Sequence, residues 1–495
     1  MEHPEQPRLS FFEKESDKSI DARKPLLNGD HSLERYSVLS AIPPFFFPAI
    51  GGLLYGYDIG ATSGATISLE SSKLSGTSWY NLSSVEIGLV VSGSLYGALI
   101  GSILAFIIAD FLGRRRELIT SSLLYFVGAI VTSVAPNFMI LVIGRMIYGV
   151  GIGLAMHAAP LYIAETAPSQ IRGRLISLKE VFIVLGMLLG YTVGSLEIDR
   201  VGGWRHMYST SIPVSLLMAI GMWWLPPSPR WLLLGAIQGK GNTEKARETA
   251  IYCLCRLRGG GDSAPDQVDE MLNELSYVEG EKETSFRDIF QGKCLKALTI
   301  GAGLVLFQQI TGQPSVLYYA ATILKSAGFS AASDATRVSI LLGLLKLIMT
   351  GVAVLAVDKL GRRPLLLGGV SGIAVSLFLL GSYYTFLNNA PFVAVSSLLL
   401  YVSCYQLSFG PIGWLMISEI FPWRLRGRAL SIAVLVNFSS NALVTFAFSP
   451  VETLIGSGML FVVFGEIALL ALVFIYFIVP ETKGLTLEEI EAKIL

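Results

Sequence analysis

The sequence predicts an all-α membrane protein with twelve transmembrane helices, arranged as two pseudo-symmetric halves of six. Hydrophobic residues make up 52% of the chain and charged residues 15%, and the mean hydropathy is +0.59. Soluble domains rarely have such a composition. Apolar stretches of about 20 residues, the length of one bilayer crossing, recur along the chain. Motifs of the first half also return in the second half, which predicts an internal duplication.

The apolar stretches place the spans in order. The first six lie within residues 42–227 and the last six within residues 297–480, and residues 228–296 form a polar linker between the halves. Helix-like runs from Thr243 to Arg258 and from Pro265 to Val278 predict short surface helices in this linker. The twelve spans begin near residues 42, 88, 117, 138, 175, 207, 297, 335, 364, 391, 428 and 456.

Lysine and arginine in the loops predict the orientation of the chain in the membrane. One set of loops carries clusters such as Arg114-Arg115-Arg116, whereas the alternate loops hold single cations such as Arg200. This pattern places the basic loops, the linker and both termini in the cytosol. Residues 1–41 are polar, lack a cleavable signal peptide and are typical of a disordered N-terminus. Residues 481–495 form a short cytosolic tail.

The basic loops carry the duplicated motifs. The run from Asp110 to Arg115 returns after about 250 residues as the run from Asp358 to Arg363, and Glu165 with its following arginines returns as Glu419. Two halves of the same orientation pack around an axis along the membrane normal, with the binding site between them. We expect a cytosolic gating network in which carboxylates at helix ends face arginines of neighbouring loops. Alternatively, these arginines only set the topology and contact anionic lipid headgroups. The network comprises Asp110, Arg114, Arg115, Glu165, Arg172, Asp358, Arg362, Arg363, Glu419 and Arg426.

Asp58 is the most informative charge in the sequence. It lies in the segment Gly56-Tyr57-Asp58-Ile59-Gly60, and the stretch from Ile42 to Leu69 is otherwise uncharged. A lone carboxylate inside a span costs about 2.5 to 3.5 kcal/mol on insertion scales, so it should be paired or carry function. The first hypothesis is a proton or ion relay, and the alternative is a static structural ion pair.

Other classes of function lack support in the sequence. The formal net charge is +0, so the charge balance does not indicate a nucleic-acid partner. The four cysteines are scattered without the spacing of a disulfide framework or a metal site. No phosphate-binding loop, metal cluster or pairing of a nucleophile with a base is found, so we expect neither an enzyme nor a bound cofactor or metal.

A series of short motifs runs through the chain in a particular order. They include Gly56-Tyr57-Asp58, the duplicated loops, Gly144-Arg145, Gly203-Trp204-Arg205, Phe307-Gln308-Gln309, Leu317-Tyr318-Tyr319, Gly410-Pro411 with Trp414, and Pro480-Glu481-Thr482-Lys483-Gly484. In this order the motifs resemble a sugar porter of the major facilitator superfamily, over residues 42 to 492. Within that family the chain is similar to plant carriers of the vacuolar glucose transporter and xylose–proton symporter-like type. The resemblance implies the major facilitator fold.

The resemblance also implies which residues bind substrate. Neutral amides offer a donor and an acceptor to a polyhydroxylated ligand, and the aromatic face of a tryptophan suits the C–H side of a sugar ring. For the pair of adjacent glutamines, the alternative is hydrogen bonding between helices that holds the bundle together. The implied substrate-binding residues are Gln308, Gln309, Tyr318, Gly410, Trp414, Asn437 and Glu180.

Several residues depart from the family pattern. Pro314 stands where the family has a sugar-binding asparagine, and Glu180 replaces a glutamine of the fifth span. Lys346 stands where related carriers have an asparagine, and Glu466 is a second unexplained charge, in span twelve. Lys346 is either neutralised by an acidic partner or extends along a tilted helix to the interface. These departures leave hexose, pentose and cyclic polyol substrates open.

The resemblance further implies proton coupling. Arg145 in span four matches the arginine that faces the span-one aspartate in proton-coupled members, and facilitative glucose carriers lack that aspartate. Asp58 and Arg145 are therefore expected to couple a proton to the transport of a monosaccharide such as glucose or xylose. One alternative is a sugar or polyol uniporter in which Asp58 is structural, and another is a non-transporting sugar sensor.

The expected partners and location follow from this hypothesis. We expect a monomer whose partners are a small neutral sugar, a proton and the lipid bilayer, with no nucleic acid. The resemblance favours the vacuolar membrane, with the plasma membrane and the plastid envelope as alternatives.

Overall fold

The computed structural model describes residues 38–167, 171–239, 242–258, 264–280, 290, 292–329, 332–387, 390–420 and 426–483. In this part of the chain the secondary structure is helical and contains no β-strand. The helices are α1 (Val38–Glu70), α2 (Ser84–Leu112), α3 (Arg114–Ser133), α4 (Phe138–Thr166), α5 (Arg172–Glu197), α6 (Gly203–Ser209), α7 (Ser211–Trp224), α8 (Pro229–Ile237), α9 (Thr243–Arg258), α10 (Ala264–Gly280), α11 (Gly292–Ile310), α12 (Gln313–Tyr318), α13 (Ala320–Ser326), α14 (Ala332–Leu360), α15 (Arg362–Ser382) with a π-helical turn at Tyr383–Leu387, α16 (Pro391–Leu407), α17 (Phe409–Ile420), α18 (Arg426–Ile455) and α19 (Ser457–Ile478).

The described part contains nine helices that are individually long and apolar enough to cross a membrane. Gly203–Trp224 and Pro229–Ile237 pass the same test as a pair, across a bend of 58°. Helices α1 and α3 fall below it, because α1 contains three prolines and Asp58 and α3 begins with charged residues. Both pack inside the bundle, α1 against α5 and α3 against α4. With them the fold has twelve spans, and the all-α membrane fold class is confirmed.

The spans follow the order that the sequence predicts. Helices α1 to α5 form the first five spans, and α6 with α7 forms the sixth. Span seven runs through α11 to α13, span eight is α14, span nine is α15, span ten is α16 with α17, span eleven is α18 and span twelve is α19. The linker contains α9 and α10, which coincide with its two helix-like runs, and these pack with α8 around an apolar cluster that includes Leu233, Leu254 and Val268.

Two sides of the bundle are distinguished below. The basic side is where α3 begins at Arg114 and α15 begins at Arg362. The far side is where α1 ends at Glu70 and α5 ends at Glu197. Because the chain direction alternates between consecutive spans, odd-numbered spans run from the basic side to the far side.

Glycines allow α1 and α5 to approach each other closely near the middle of α1. The pairs Gly56 with Gly60 and Gly186 with Gly190 each have the small-xxx-small spacing of close helix pairs in membranes. A Cβ atom at Gly56 would lie 1.8 Å from the carbonyl oxygen of Ile183, so no larger residue fits there. Helices α2 and α4 approach in the same way through Gly97, Gly101, Gly149 and Gly153. The two close crossings hold α1, α2, α4 and α5 in fixed positions.

Two buried hydrogen bonds join the halves on the far side. The backbone N–H of Ala321 in α13 donates to the Ser63 hydroxyl of α1 at 2.9 Å. The Tyr191 hydroxyl of α5 donates to the Leu317 carbonyl of α12 at 2.7 Å. Both bonds join a buried group of one half to a buried group of the other. They therefore hold the halves together on the far side.

Candidate functional site

Asp58 and Arg145 form a buried ion pair between α1 and α4. Arg145 Nη1 donates to Asp58 Oδ1 at 3.0 Å, and Nη2 donates to Oδ2 at 3.3 Å. The Ser94 hydroxyl of α2 also donates to Oδ2, at 2.6 Å. The two charged side chains are only 4% and 1% exposed. Such a two-point, charge-assisted contact is strong and orients both groups, and burial keeps water from screening it.

Arg145 has further partners besides the carboxylate. Its Nη2 atom donates to the Val91 carbonyl at 3.1 Å and to the Ser94 hydroxyl at 3.0 Å. Its guanidinium lies 5.2 Å from the centre of the Tyr208 ring, within range of a cation–π contact. If Asp58 became neutral, the buried guanidinium would still have these contacts. The site can therefore tolerate a change in the charge of Asp58.

A break in span seven positions the two glutamines. Gly312 between α11 and α12 has φ of +90°, a left-handed conformation that favours glycine. Pro314 lies in the first turn of α12, where proline is well suited because no intrahelical donor is needed there. The break leaves Gln308 and Gln309 in the last turn of α11. Gln308 Nε2 donates at 3.0 Å to the Phe409 carbonyl, next to the break between α16 and α17 in span ten.

A cluster of buried amides lies at these breaks, whereas the Tyr318 hydroxyl lies near Ser94 and Asp58 of the N-terminal half. Gln309 Nε2 donates to Asn437 Oδ1 of α18 at 2.7 Å. Among the described residues, the Oε1 atoms of Gln308, Gln309 and Gln406 and the hydroxyl of Tyr318 are buried without a hydrogen-bond partner. Buried polar atoms are usually satisfied, so several unsatisfied ones together indicate a ligand site. The acceptors match a ligand that donates hydrogen bonds from several hydroxyls.

The other sequence-predicted substrate residues lie around this cluster or near it. A Cβ atom at Gly410 would lie 3.1 Å from Gln406 Nε2, so glycine lets the amide approach the backbone of α17. Trp414 is partly buried against the apolar core of the C-terminal half. Glu180 is 54% exposed and its carboxylate lies 3.4 Å from Lys179 Nζ, and it is close enough to Lys346 and Tyr405 to act on both electrostatically.

A sequence model of the family described as "Sugar (and other) transporter" matches residues 45–494. The chain belongs to this sugar transporter family. The transporter is 70% identical over 486 residues to "D-xylose-proton symporter-like 2" of Arabidopsis thaliana, covering 98% of this chain and 97% of that protein. It is 64% identical over 467 residues to "D-xylose-proton symporter-like 3, chloroplastic" of the same species, covering 93% and 84%.

A solved structure has the same fold. The xylose transporter XylE from E. coli, in a partially occluded inward-open conformation, matches this transporter with a TM-score of 0.76 at 30% identity. The match covers 90% of this chain and all of XylE, 100% of its length. Family and fold together make the protein a multi-pass membrane transporter.

On the basic side of the transporter, the first arginine of each duplicated loop faces a carboxylate. Arg114 Nε lies 3.3 Å from Glu165 Oε1 in the N-terminal half. Arg362 Nη2 donates to Glu419 Oε1 at 2.9 Å in the C-terminal half. The Thr482 hydroxyl donates to the other oxygen of Glu419 at 2.6 Å. Each of these contacts joins segments within one half.

The second arginine of each loop binds the end of another span. Arg115 Nε donates to the Met222 carbonyl near the end of α7 at 3.2 Å. Arg363 Nη2 donates to the Tyr476 carbonyl near the end of α19 at 2.6 Å. A cation at a helix C-terminus also interacts favourably with the helix dipole. The side chains of four predicted network residues lie outside the described part of the chain, namely Asp110, Arg172, Asp358 and Arg426.

Glu481 caps the start of α15, a role that the sequence did not predict. Its carboxylate accepts the backbone N–H groups of Arg362, Arg363, Thr482 and Lys483 at 2.9 to 3.1 Å. Burial alone would raise the pKa of Glu481, but the four backbone donors outweigh it and hold the pKa below its usual range. The motif that contains Glu481 was visible in the sequence, but its distance from α15 along the chain concealed the contact.

In the N-terminal half, the corresponding helix start is covered by an aromatic ring rather than by a carboxylate. Gly113 precedes α3 with φ of +75°, and a Cβ atom there would lie 2.7 Å from the Trp231 ring. Gly361 precedes α15 with φ of +96°, and a Cβ atom there would lie 3.0 Å from the Glu481 carboxylate. Pro226-Pro227-Ser228 is the counterpart of Pro480-Glu481-Thr482 in the first half, so Pro227 stands where that half would carry the glutamate. Both glycines are needed for the left-handed turn, but an aromatic ring covers one helix start and a carboxylate covers the other.

Replacing Glu481 with glutamine is expected to loosen the first turn of α15. An anion at a helix N-terminus contributes about 0.3 to 1 kcal/mol, so the amides of Arg362 and Arg363 should exchange with deuterium about two to five times faster. Hydrogen-exchange mass spectrometry of the first turn of α15 measures this, with the matching turn of α3 as an internal reference that should not change.

Because folding lowers the pKa of Glu481, the stabilisation that its carboxylate gives to α15 is present above the unfolded pKa, about 4.3. This stabilisation is lost as pH falls through the lower folded pKa, so the exchange rates of the native and variant chains should become equal there. Equal exchange at neutral pH would contradict the capping role.

Lys346 lies at the edge of the amide cluster. Its side chain is 7% exposed, and its ammonium lies 5.2 Å from the centre of the Tyr405 ring. Glu180 of α5 is the acidic side chain close enough to act on it electrostatically. Lys346 therefore does not extend to the membrane interface, and the charge that acts on it belongs to the opposite half rather than to Glu466.

Two polar residues of the site were not singled out in the sequence. Ser94 contacts both members of the ion pair, and Gln406 contributes an unsatisfied buried acceptor. Gln406 had a usable signal, since an amide in an apolar span generally needs a partner. Ser94 had none, because serines are frequent in membrane helices and only the packing of α2 against α4 brings it to the pair.

Proposed function

We propose that this transporter carries a monosaccharide together with a proton by alternating access. Asp58 takes up the proton, Arg145 is its switchable partner, and the amide cluster binds the sugar. The observation that carries the proposal is the bidentate contact between two buried charges of neighbouring spans, Asp58 in α1 and Arg145 in α4. The proton coupling in the name of the relative D-xylose-proton symporter-like 2 and the sugar implied by the family both support it.

The chemistry of the pair supports coupling. Ionised Asp58 is stabilised by Arg145 and by Ser94, whereas burial favours the neutral acid. A conformational change that separates the pair by a small distance would remove the stabilising charge, and the carboxylate would then take up a proton. Because Arg145 keeps the Val91 carbonyl and the Ser94 hydroxyl as acceptors, its own burial without Asp58 is less costly than that of an isolated charge.

The contacts between the halves support alternating access. The Ser63 and Tyr191 hydrogen bonds close the far side. A carrier that works by rocking one half against the other would break these contacts when it opens on the far side. On the basic side, the Arg114 and Arg362 pairs keep each half rigid while it moves.

The sugar site that we propose comprises Gln308, Gln309 and Asn437, with Trp414 as the stacking surface. Tyr318, Gly410 and Glu180 remain predicted members. The unsatisfied acceptors at Gln308 and Gln309 support a neutral, hydroxyl-bearing ligand.

We also propose the wider setting that the sequence predicts. Both termini and the linker at residues 228–296 face the cytosol, the halves comprise residues 42–227 and 297–480, and the protein acts as a monomer. The vacuolar membrane is favoured, although one close relative is named chloroplastic, which makes the plastid envelope the first alternative.

The test is uptake of radiolabelled xylose and glucose into proteoliposomes that contain the purified protein. We expect accumulation above equilibrium only when a pH gradient is imposed. One pH unit corresponds to about 1.4 kcal/mol, so a one-to-one symporter without a membrane potential accumulates sugar up to about tenfold. Equilibration that is indifferent to the gradient would make the protein a uniporter. Binding without any flux would indicate a sensor instead.

A further inference from the structure

A small cavity adjoins the Asp58–Arg145 pair inside the N-terminal half. It offers about 10 Å³ to the centre of a water molecule, and a single water needs about 10 to 15 Å³ measured in this way. Its walls come from α1, α3, α4, α6 and α7, and they include Thr132, Tyr208 and Ser211. The amide cluster lies on helices of the other half, so this cavity and the proposed sugar site have separate walls.

The hydrogen bonding of the cavity wall leaves room for one more polar molecule. The hydroxyls of Tyr57, Tyr148 and Ser211 donate to backbone carbonyls. By contrast, Thr132 Oγ1 and Arg145 Nε are buried and have no partner among the described residues. A hydroxyl and an N–H donor beside a space of this size match one water molecule, which accepts from the arginine and bonds to the threonine.

The cavity lies close to the far side. Thr132 is the penultimate residue of α3, which ends at Ser133. Just beyond, the Arg205 guanidinium donates to the carbonyls of Ser133 and Ala135, both at 2.8 Å. Tyr208 and Ser211 belong to the first turns of span six, which also begins on the far side. A proton from that side therefore has only a short way to travel through the N-terminal half.

We propose that this cavity is the far-side proton-access site of Asp58, and that the proton reaches Asp58 from the far side by a route apart from the sugar. A water molecule in the cavity accepts a proton from the far-side medium, becomes hydronium, and donates that proton to a carboxylate oxygen of Asp58. The products are neutral water and the neutral acid, so atoms and charge balance. Transfer through one water is a normal route for a buried acid. The proposal rests on the proposed role of Asp58, and it adds a route that does not pass the amides.

The test compares Thr132→Val with Thr132→Ser in proteoliposomes. Valine has a similar shape but removes the hydroxyl, whereas serine keeps it. We expect Thr132→Val to lower the initial rate of proton-driven xylose uptake about fivefold, the change expected from losing one hydrogen bond. Counterflow exchange of xylose, which needs no net proton movement, should stay near the native rate, and Thr132→Ser should restore the driven rate.

Ser121→Ala is the matched control, because Ser121 is a buried hydroxyl of the same helix that binds the Gly151 carbonyl away from the cavity. It should leave both rates unchanged.

If Thr132→Val lowers exchange as much as driven uptake, or lowers neither, the access site is wrong. The proposed relay is tested separately. If Asp58→Asn loses driven uptake while Thr132→Val takes up xylose at the native rate, the relay role of Asp58 stands and only the access route through this cavity is wrong. If Thr132→Val fails to fold, Ala129→Val, which narrows the same cavity from the same helix, takes its place with the same expected result.

Discussion

Proteoliposomes that contain Asp58→Asn are expected to lose pH-driven accumulation of xylose completely, while counterflow exchange continues. Asparagine keeps the size of the side chain, and its carbonyl oxygen can still accept from Arg145 and Ser94, so the packing of α1 against α4 and α5 is preserved. The variant has no group that can take up a proton at this position. Its internal sugar concentration should therefore reach that of the medium and stop there, whatever the gradient.

The measurement is the ratio of internal to external xylose at steady state, taken with and without one unit of pH difference. Asp334→Asn is a suitable control because it also removes an aspartate paired with arginine, but this pair is more than half exposed on both sides and spans 3.6 Å. Exposed pairs contribute about 0 to 1 kcal/mol, so this variant should accumulate xylose like the native chain. Accumulation that survives in Asp58→Asn would show that the proton is carried elsewhere, and the pair would then be structural.

Removing the Gln309 amide should have the second largest effect, a rise in the KM for xylose of about fivefold to 150-fold. The Gln309 Nε2 bond to Asn437 fixes the orientation of the amide and leaves its Oε1 atom as a buried acceptor. Gln309→Leu removes that acceptor and leaves a sugar hydroxyl unpaired in a buried site, at about 1 to 3 kcal/mol. The maximal rate should change less than KM, because the interaction is made in the bound ground state as well.

A double-mutant cycle separates direct sugar contact from structural bonding. Asn437→Leu alone frees the Gln309 amide to turn, and should raise KM by about fivefold. The two substitutions together should cost less than the sum of the single effects, because both act through one shared hydrogen bond. Gln238→Leu, at an exposed glutamine after α8, serves as the control. If Gln309→Leu lowers the yield of folded protein in detergent without changing KM, the Gln309–Asn437 pair holds helices together and does not bind sugar.

The sequence was sufficient for the main features of the fold. Apolar length and loop charge predicted twelve spans and their order, and the helix-like runs of the linker became α9 and α10. The isolated charge of Asp58 pointed to a partner, and the structure places Arg145 there. These inferences succeed because hydropathy, helix periodicity and the cost of a buried charge depend on residues near one another in the chain.

Other features could not be obtained from the sequence. Pro314 was a departure from the family pattern, yet its place in the first turn of α12 gives it a clear structural role. Glu180 stays a predicted member of the sugar site, and the structure adds that it lies beside Lys179 and close enough to Lys346 to act on it electrostatically. Glu481 was known only as part of a motif, although it binds the start of a helix more than a hundred residues earlier. The interactions of Glu180 with Lys346 and of Glu481 with α15 join segments far apart in the chain, and the role of Pro314 depends on where span seven breaks.

The sequence by itself therefore determined the class of the protein, the number of its spans, its duplicated halves and the unusual charge at Asp58. Only the tertiary structure decided that Ser94 completes the ion pair, that Gln309 is held by Asn437, and that a water-sized cavity beside Thr132 lies apart from the amides. The physical reason is that spans are selected by summed hydropathy along a single helix. A hydrogen bond or a cavity, in contrast, depends on distances of a few tenths of an ångström between helices, and these are set by how closely the glycine pairs allow their backbones to approach.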